Sequence, residues 1–169
     1  MGWNTTAIFA ADWTTDRLLE LAPDDVRARP TGELVGLDEA GSAFPGGRLY
    51  LREHAGWSQL WDPDLRVMPF APDPGRDGLA APGTRVLGVI FASVSSTYGF
   101  WYVDDGKLVR QIVFQDGEPV QDDGDPLPVE SQVEIPQWGP DEDFVFAVIG
   151  AVTGYRPDDE PRYAVYEVD

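Results

Sequence analysis

Short apolar and β-branched runs, separated by turn residues, dominate the hydrophobic pattern of this chain. The second half has four such runs, at 86–94, 98–103, 108–114 and around 119–120. Three Asp-Gly pairs follow the later runs: Asp105-Gly106, Asp116-Gly117 and Asp123-Gly124. Asp-Gly between apolar runs favours tight β-hairpins, because both central residues of a type I′ turn need a positive φ. The pattern predicts an antiparallel meander, with the 86–94 run, apolar on both faces, central in the sheet.

Further strands are predicted outside the meander. Short apolar or alternating runs indicate strands at 5–11, 48–53, 57–61, 129–135 and 162–168, and a short strand at 34–37. Residues 67–70 fit an edge strand, because Pro69 cannot donate a ladder hydrogen bond. Residues 71–84 form a long loop rich in proline and glycine, of a kind that is more often functional than average.

Two helices are predicted, one near each end of the chain. Thr14 or Thr15 is expected to cap a first helix that Pro23 ends, and a further helical turn is expected at 23–26. A second helix is expected to begin after Pro140 and to end at Gly154. Its β-rich run at 144–149 leaves a strand as the alternative. Residues 1–169 are therefore expected to form one α+β domain, with about six to nine mainly antiparallel strands and one or two helices packed on them.

The charge disfavours whole classes of function. The formal charge is −18, from 30 acidic and 12 basic residues, so the chain should be repelled by nucleic acids and by anionic membranes. No run of about 18 apolar residues predicts a membrane-spanning helix. No basic segment precedes the first apolar run, so we expect no signal peptide and a cytoplasmic protein.

The acidity itself has three interpretations. Arginine-dominated bases with abundant Ala, Gly, Pro and Asp suit the codon usage of a GC-rich bacterium. Acidic surfaces are also common in proteins adapted to high salt. The third interpretation is a basic protein partner, because complementary potentials speed association and favour the correct partner.

Familiar catalytic and metal-binding motifs are missing from the sequence. The chain has no cysteine, which excludes disulfides, thiolate zinc sites and cysteine nucleophiles. His54 is the one histidine, so a Ser-His-Asp triad would have to use it. Asp122, Asp123 and Asp125 lack the spacing of a calcium loop. No P-loop, G-x-G-x-x-G, G-x-S-x-G or H-E-x-x-H motif occurs. We therefore expect no catalytic residue, cofactor or metal site.

Aromatic residues recur at strand spacing. Trp57 and Trp61 are four residues apart and share a face on a strand, as do Tyr98, Phe100 and Tyr102. Cross-strand aromatic pairs stabilise sheets, which explains such spacing without any function. The alternative is a partly exposed aromatic patch rimmed by acids, as at interface hot spots or pockets.

Scattered features resemble uncharacterised small domains of GC-rich bacteria, some of them similar to immunity proteins of polymorphic toxin systems. The features are Trp13, the Pro-Asp-Asp-Val segment at 23–26, Gly56-Trp57 leading to 61–63, the strand at 98–103, residues 105–110, residues 124–128 with Glu130, and Thr153-Gly154. The resemblance spans most of the chain and implies binding to a toxin. It assigns no functional residue.

The leading prediction is a non-enzymatic, immunity-type inhibitor whose acidic loops cover the basic site of a toxin or nuclease. The predicted contacts are Asp122, Asp123, Asp125, Asp141, Glu142 and Asp143, with Trp57, Trp61 or Trp138 as anchors. One alternative is a small-molecule site or an enzyme without known motifs, with a pocket under the 71–84 loop that uses Arg85, Arg110 or His54. Another is a structural component that self-associates through exposed sheet edges.

Overall fold

A single nine-stranded sheet organises the chain in the computed structural model, which describes residues 3–23, 25–42, 46–65, 78–155 and 161–169. The strands are β1 (Asn4–Ala11), β2 (Ala28–Val35), β3 (Arg48–His54), β4 (Trp57–Asp62), β5 (Arg85–Ala92), β6 (Thr97–Asp104), β7 (Lys107–Gln115), β8 (Glu118–Gly124) and β9 (Tyr163–Val168). Their order is β2-β9-β3-β4-β1-β5-β6-β7-β8, and every neighbouring pair is antiparallel. The α+β prediction is confirmed.

Three α-helices accompany the sheet among the described residues. They are α1 (Thr15–Leu19), α2 (Leu37–Ser42) and α3 (Glu142–Thr153), and the described 3-10 helices are Ser93–Ser95 and Pro128–Ser131. The predicted strand at 129–135 is wrong: Pro128 begins a 3-10 helix there, and the Glu130 carboxylate accepts the N–H of Leu127 at 2.5 Å. The predicted edge strand at 67–70 lies outside the described residues. None of the described helices is long and apolar enough to cross a membrane.

Two of the three predicted Asp-Gly hairpins are confirmed. Asp105 and Gly106 have φ values of 52° and 73°, and Asp116 and Gly117 have 51° and 82°, as type I′ turns require. The third prediction is wrong, because Asp123 and Gly124 are the last residues of β8 and pair with Gln111 and Arg110. Among the described strands, β8 pairs with β7 alone, so no strand returns from Gly124 to pair with it.

Both faces of the sheet are buried. On the first, here the α3 face, α2 and α3 cover an aromatic cluster in which the rings of Trp61 and Phe91 stack at 6.1 Å. On the second, the α1 face, Leu18 of α1 and Leu79 pack on residues such as Leu60 and Trp101. Side chains alternate between the faces along each strand, so a near-continuous apolar strand such as β5 fits an internal position.

The second predicted helix, α3, crosses the α3 face. Asp141 caps it by accepting the N–H of Asp143 at 3.0 Å, and acids in the first turn interact favourably with the helix dipole. Four apolar side chains face the sheet, namely Phe144, Val145, Val148 and Ile149. This helical spacing lets the β-rich run pack as a helix, which Gly154 ends with a φ of 75°.

Candidate functional site

Negative charge is concentrated at the β8 side of the molecule. Residues 111–155, all of them described, contain ten acidic residues and no lysine, arginine or histidine. They occupy the β7–β8 turn, β8, the segment after it and the first turn of α3. We call these ten residues the acidic edge: Asp116, Glu118, Asp122, Asp123, Asp125, Glu130, Glu134, Asp141, Glu142 and Asp143. The remainder of the chain holds the other 20 acidic residues and all 12 basic residues, so residues 111–155 differ from it in lacking bases.

The strand at this edge is poorly suited to pairing with another strand. β8 pairs with β7 alone, so its outer side has no partner among the described residues. Pro119 has no N–H, Val120 falls in a bulge between paired positions, and three acids crowd the strand. Such features protect an edge against strand addition. Any partner here is therefore expected to meet side chains rather than extend the sheet.

A buried arginine lies beneath the acidic edge. Arg110 is 2% exposed, and its Nε and Nη2 donate to the two oxygens of Glu130 at 3.0 and 2.7 Å. Its Nη1 donates to Asp122 at 2.6 Å and to the carbonyl of Gly124 at 2.9 Å. Burial lowers the pKa of Arg110, but the bonds to Glu130 and Asp122 outweigh it and raise the pKa overall. The guanidinium is thus fully used in joining β7 to β8 and to the 3-10 helix.

The first turn of α3 meets the β7–β8 turn. The Trp138 carbonyl lies so close to Gly117 that a Cβ there would come within 2.8 Å of it. Tyr98 donates its hydroxyl to Glu142 at 3.5 Å. Burial and then the charge of Glu142 raise the pKa of Tyr98 to about 12, so the phenol is neutral at physiological pH. These contacts hold Asp141, Glu142 and Asp143 beside Trp138.

Apolar side chains are exposed among these carboxylates. Trp138 is 75% exposed, Val120 60% and Ile135 43%. Exposed single apolar residues are common, but here three accompany ten acids on one side of the molecule. Tryptophan is enriched at interface hot spots, whose rims are polar. The surface therefore combines an exposed aromatic ring with acidic residues.

The predicted acidic contacts all fall on this surface, in two groups. Asp122, Asp123 and Asp125 lie at the end of β8 that pairs with Arg110, whereas Asp141, Glu142 and Asp143 lie near the β7–β8 turn. The length of β8, about 20 Å at the usual rise per residue, separates the two ends. The structure thus gives an elongated surface rather than one compact cluster.

The tryptophans predicted as anchors differ sharply in exposure. Trp57 and Trp61 share the α3 face, as their spacing predicts, but they are 8% and 0% exposed. Helices α2 and α3 cover this face, so both rings serve as core residues and neither can anchor a partner in the folded protein. Of the three predicted tryptophans, Trp138 alone is exposed.

The other predicted candidates do not form a catalytic arrangement. His54 is exposed at the end of β3 and pairs with Trp57 across a tight turn at Ala55-Gly56, where Gly56 is expected to break the strand. Its neighbour Glu53 accepts the N–H of Thr15 at 3.0 Å. Within the described residues, no three His, Asp or Glu side chains are placed to hold a metal ion.

Comparisons of the chain with protein families, with curated proteins and with solved structures found no match. No residue can therefore take a role from a relative.

Proposed function

We propose that this protein is a non-enzymatic binding protein, an immunity-type inhibitor that uses its acidic edge to bind a basic protein. The observation that supports this proposal is the distribution of charge along the chain: residues 111–155 hold ten acids and no base, and exposed Trp138 lies within this stretch. Codon usage and adaptation to high salt explain an acidic surface in general. Neither explains why residues 111–155 contain no basic residue, while the neighbouring Arg110 is buried and paired with Glu130 and Asp122.

The mechanism follows from electrostatics. Carboxylates of the acidic edge would occupy positions that phosphates or other anions take in the partner's basic site. Like-signed carboxylates on one surface steer a basic protein toward it and speed the encounter. Salt screens such attraction, with a Debye length of about 10 Å at 0.1 M, so association should weaken steeply as salt is added. Trp138 would supply apolar contact area that salt does not weaken.

The first experiment captures partners from a lysate of the source organism at low salt, on immobilised wild-type protein and matched variants. The test variant D123N/D125N/D143N removes three exposed carboxylates from the acidic edge. The control D16N/E20Q/D25N removes three exposed carboxylates near α1, so the net charge changes equally. We expect the same basic protein on wild type and control, elution of that protein by moderate salt, and its loss from the test variant.

A second variant separates the anchor from the charge. W138A should weaken retention at every salt concentration, because it removes contact area and leaves the charge unchanged. Mass spectrometry identifies the retained protein, and its activity is then measured with increasing amounts of inhibitor. Equal retention by the test and control variants would contradict the proposed surface. Retention without loss of the partner's activity would contradict inhibition.

A further inference from the structure

A cleft opens on the α3 face at the C-terminal half of α3. It has a volume of about 320 Å³ and lies between α3, the 3-10 helix Pro128–Ser131 and strands β5 and β6. Its walls are mainly apolar and include Leu127, Val129, Ala151 and Val152. The volume is at the lower end of the usual range for small-molecule sites. The described end of the 71–84 loop lies elsewhere, because Leu79 packs on the opposite face.

One end of the cleft is lined by Arg85, whose side chain is 45% exposed, and by Tyr102. Arg85 donates from Nε to the Tyr102 hydroxyl at 3.2 Å, and its guanidinium lies 5.2 Å from the Trp57 ring centroid. Asp104 lies at 3.9 Å from Nε, at the limit of an ion pair. Within the described residues, both Nη groups of Arg85 lack a hydrogen-bond acceptor. The Tyr102 oxygen accepts from Arg85, which leaves its own proton for another acceptor.

Two carboxylates, Asp104 and Asp12, lie near enough to Arg85 to raise its pKa. Neither forms a hydrogen bond with its guanidinium, whose one hydrogen bond among the described residues goes to Tyr102. The hydrogen bond to Tyr102 raises the pKa of Arg85 above its ordinary value, so the guanidinium remains charged. A planar guanidinium next to a phenol hydroxyl is well suited to a carboxylate, which accepts several hydrogen bonds at once.

We propose that this cleft binds a small amphipathic carboxylate, with its head group on Arg85 and Tyr102 and its apolar chain between α3 and the 3-10 helix. A saturated chain of roughly ten carbons fits a cavity of this size at the packing density of protein interiors. The apolar walls favour the chain, and the two donors fix its orientation. This site is independent of the acidic edge and does not rest on the proposed inhibitor function.

The test is isothermal titration calorimetry of the full chain with decanoate, and with decanol as the uncharged probe of similar length. We expect decanoate to bind at one site per chain and decanol to bind at least tenfold more weakly. R85Q should reduce decanoate affinity to about that of decanol. The control is R29Q. Arg29 is an exposed arginine of β2, far from the cleft, and it pairs with Asp169, so its loss should leave the decanoate affinity unchanged.

A second variant tests the cleft without altering charge. A151F places a phenyl ring at an exposed helix position on the cleft wall and should abolish decanoate binding while the thermal unfolding temperature changes little. The acidic-edge variant D123N/D125N/D143N should bind decanoate as wild type does, which keeps this test separate from that of partner binding. No binding of decanoate by wild type, or equal binding by wild type, R85Q and A151F, would overturn the proposal.

Discussion

Removing Glu130 should destabilise the protein far more than removing a typical surface acid. Arg110 is 2% exposed and the Glu130 side chain 10%, so water cannot replace the lost carboxylate. Breaking a buried ion pair from one side costs about 3–5 kcal/mol, because the remaining charge is left uncompensated. Asp122 and the Gly124 carbonyl still accept from Arg110, which places E130A near the lower value, about 3 kcal/mol. A loss of about 3 kcal/mol lowers the folding equilibrium constant more than a hundredfold.

The double variant R110M/E130L should recover most of that stability. Replacing a whole buried pair with apolar residues of similar volume is often neutral or stabilising. R110M alone leaves Glu130 without its cation, so we expect it to cost several kcal/mol, whereas the double variant should lie within about 2 kcal/mol of wild type. A double-mutant cycle would then give a large coupling free energy between the two residues.

Urea unfolding, followed by tryptophan fluorescence and far-UV circular dichroism, measures each free energy of unfolding. D122N is the matched control, because Asp122 contacts the same guanidinium but its side chain is 56% exposed, so the loss should be about 1 kcal/mol or less. A loss from E130A no larger than that from D122N would contradict the uncompensated buried charge on Arg110. Losses from R110M and E130L that simply add in the double variant would contradict the coupling between these two residues.

Three further predictions follow from other parts of the fold. G88A should cost about 1–3 kcal/mol, because the new Cβ would overlap the Trp101 ring, whereas G36A meets no atom within 4 Å and should lower the unfolding temperature little; equal effects would contradict this packing. Tyr98 should ionise with a pKa of about 12, above the ordinary value of 10.0. Its neutral form therefore stabilises the folded state fully below pH 10, and this stabilisation is lost as the pH rises from 10 to 12. E142Q should lower this pKa only in part, because burial is a larger cause of the shift than Glu142. The pKa is measured by titrating the phenolate absorbance. No difference between wild type and Y98F above pH 11 would contradict the raised pKa of Tyr98. W138F should remove most of the acrylamide-quenchable tryptophan fluorescence, since Trp138 is 75% exposed, and unchanged quenching would contradict that exposure.

Local sequence predicts where the chain turns and which side chains share a strand face. It does not predict how the elements pack together. Asp105-Gly106 and Asp116-Gly117 specify their hairpins through residues that tolerate a positive φ. Gly56 predicts the break between the strands at 48–53 and 57–61, but the sequence does not predict a tight turn centred on Ala55, because alanine rarely adopts the φ of 52° it has here. The spacing of Trp57 and Trp61 predicts their shared face, but their burial depends on helices from distant parts of the chain.

In the candidate site, too, the sequence reveals one feature and not another. The lack of basic residues between 111 and 155 is a property of the sequence, and it is sufficient by itself to mark the acidic edge. The role of Arg110 has no such local signal, because its partner Glu130 is 20 residues away and is brought near by a 3-10 helix at a segment predicted to be a strand. Sequence patterns report backbone preference and side-chain direction, whereas ion pairs across elements depend on tertiary packing.

The position of β9 between β2 and β3 has a consequence for the order in which the sheet assembles. β2 pairs with β9 alone, and β9 follows β3 in the chain by more than 100 residues. A nascent chain therefore has to leave β2 undocked, and the edge of β3 open, until β9 has been synthesised. Such long-range pairing slows folding, because loop closure costs entropy before the contacts form. The open edge of β3 during this interval is the point at which the unfinished chain is most exposed to misassociation.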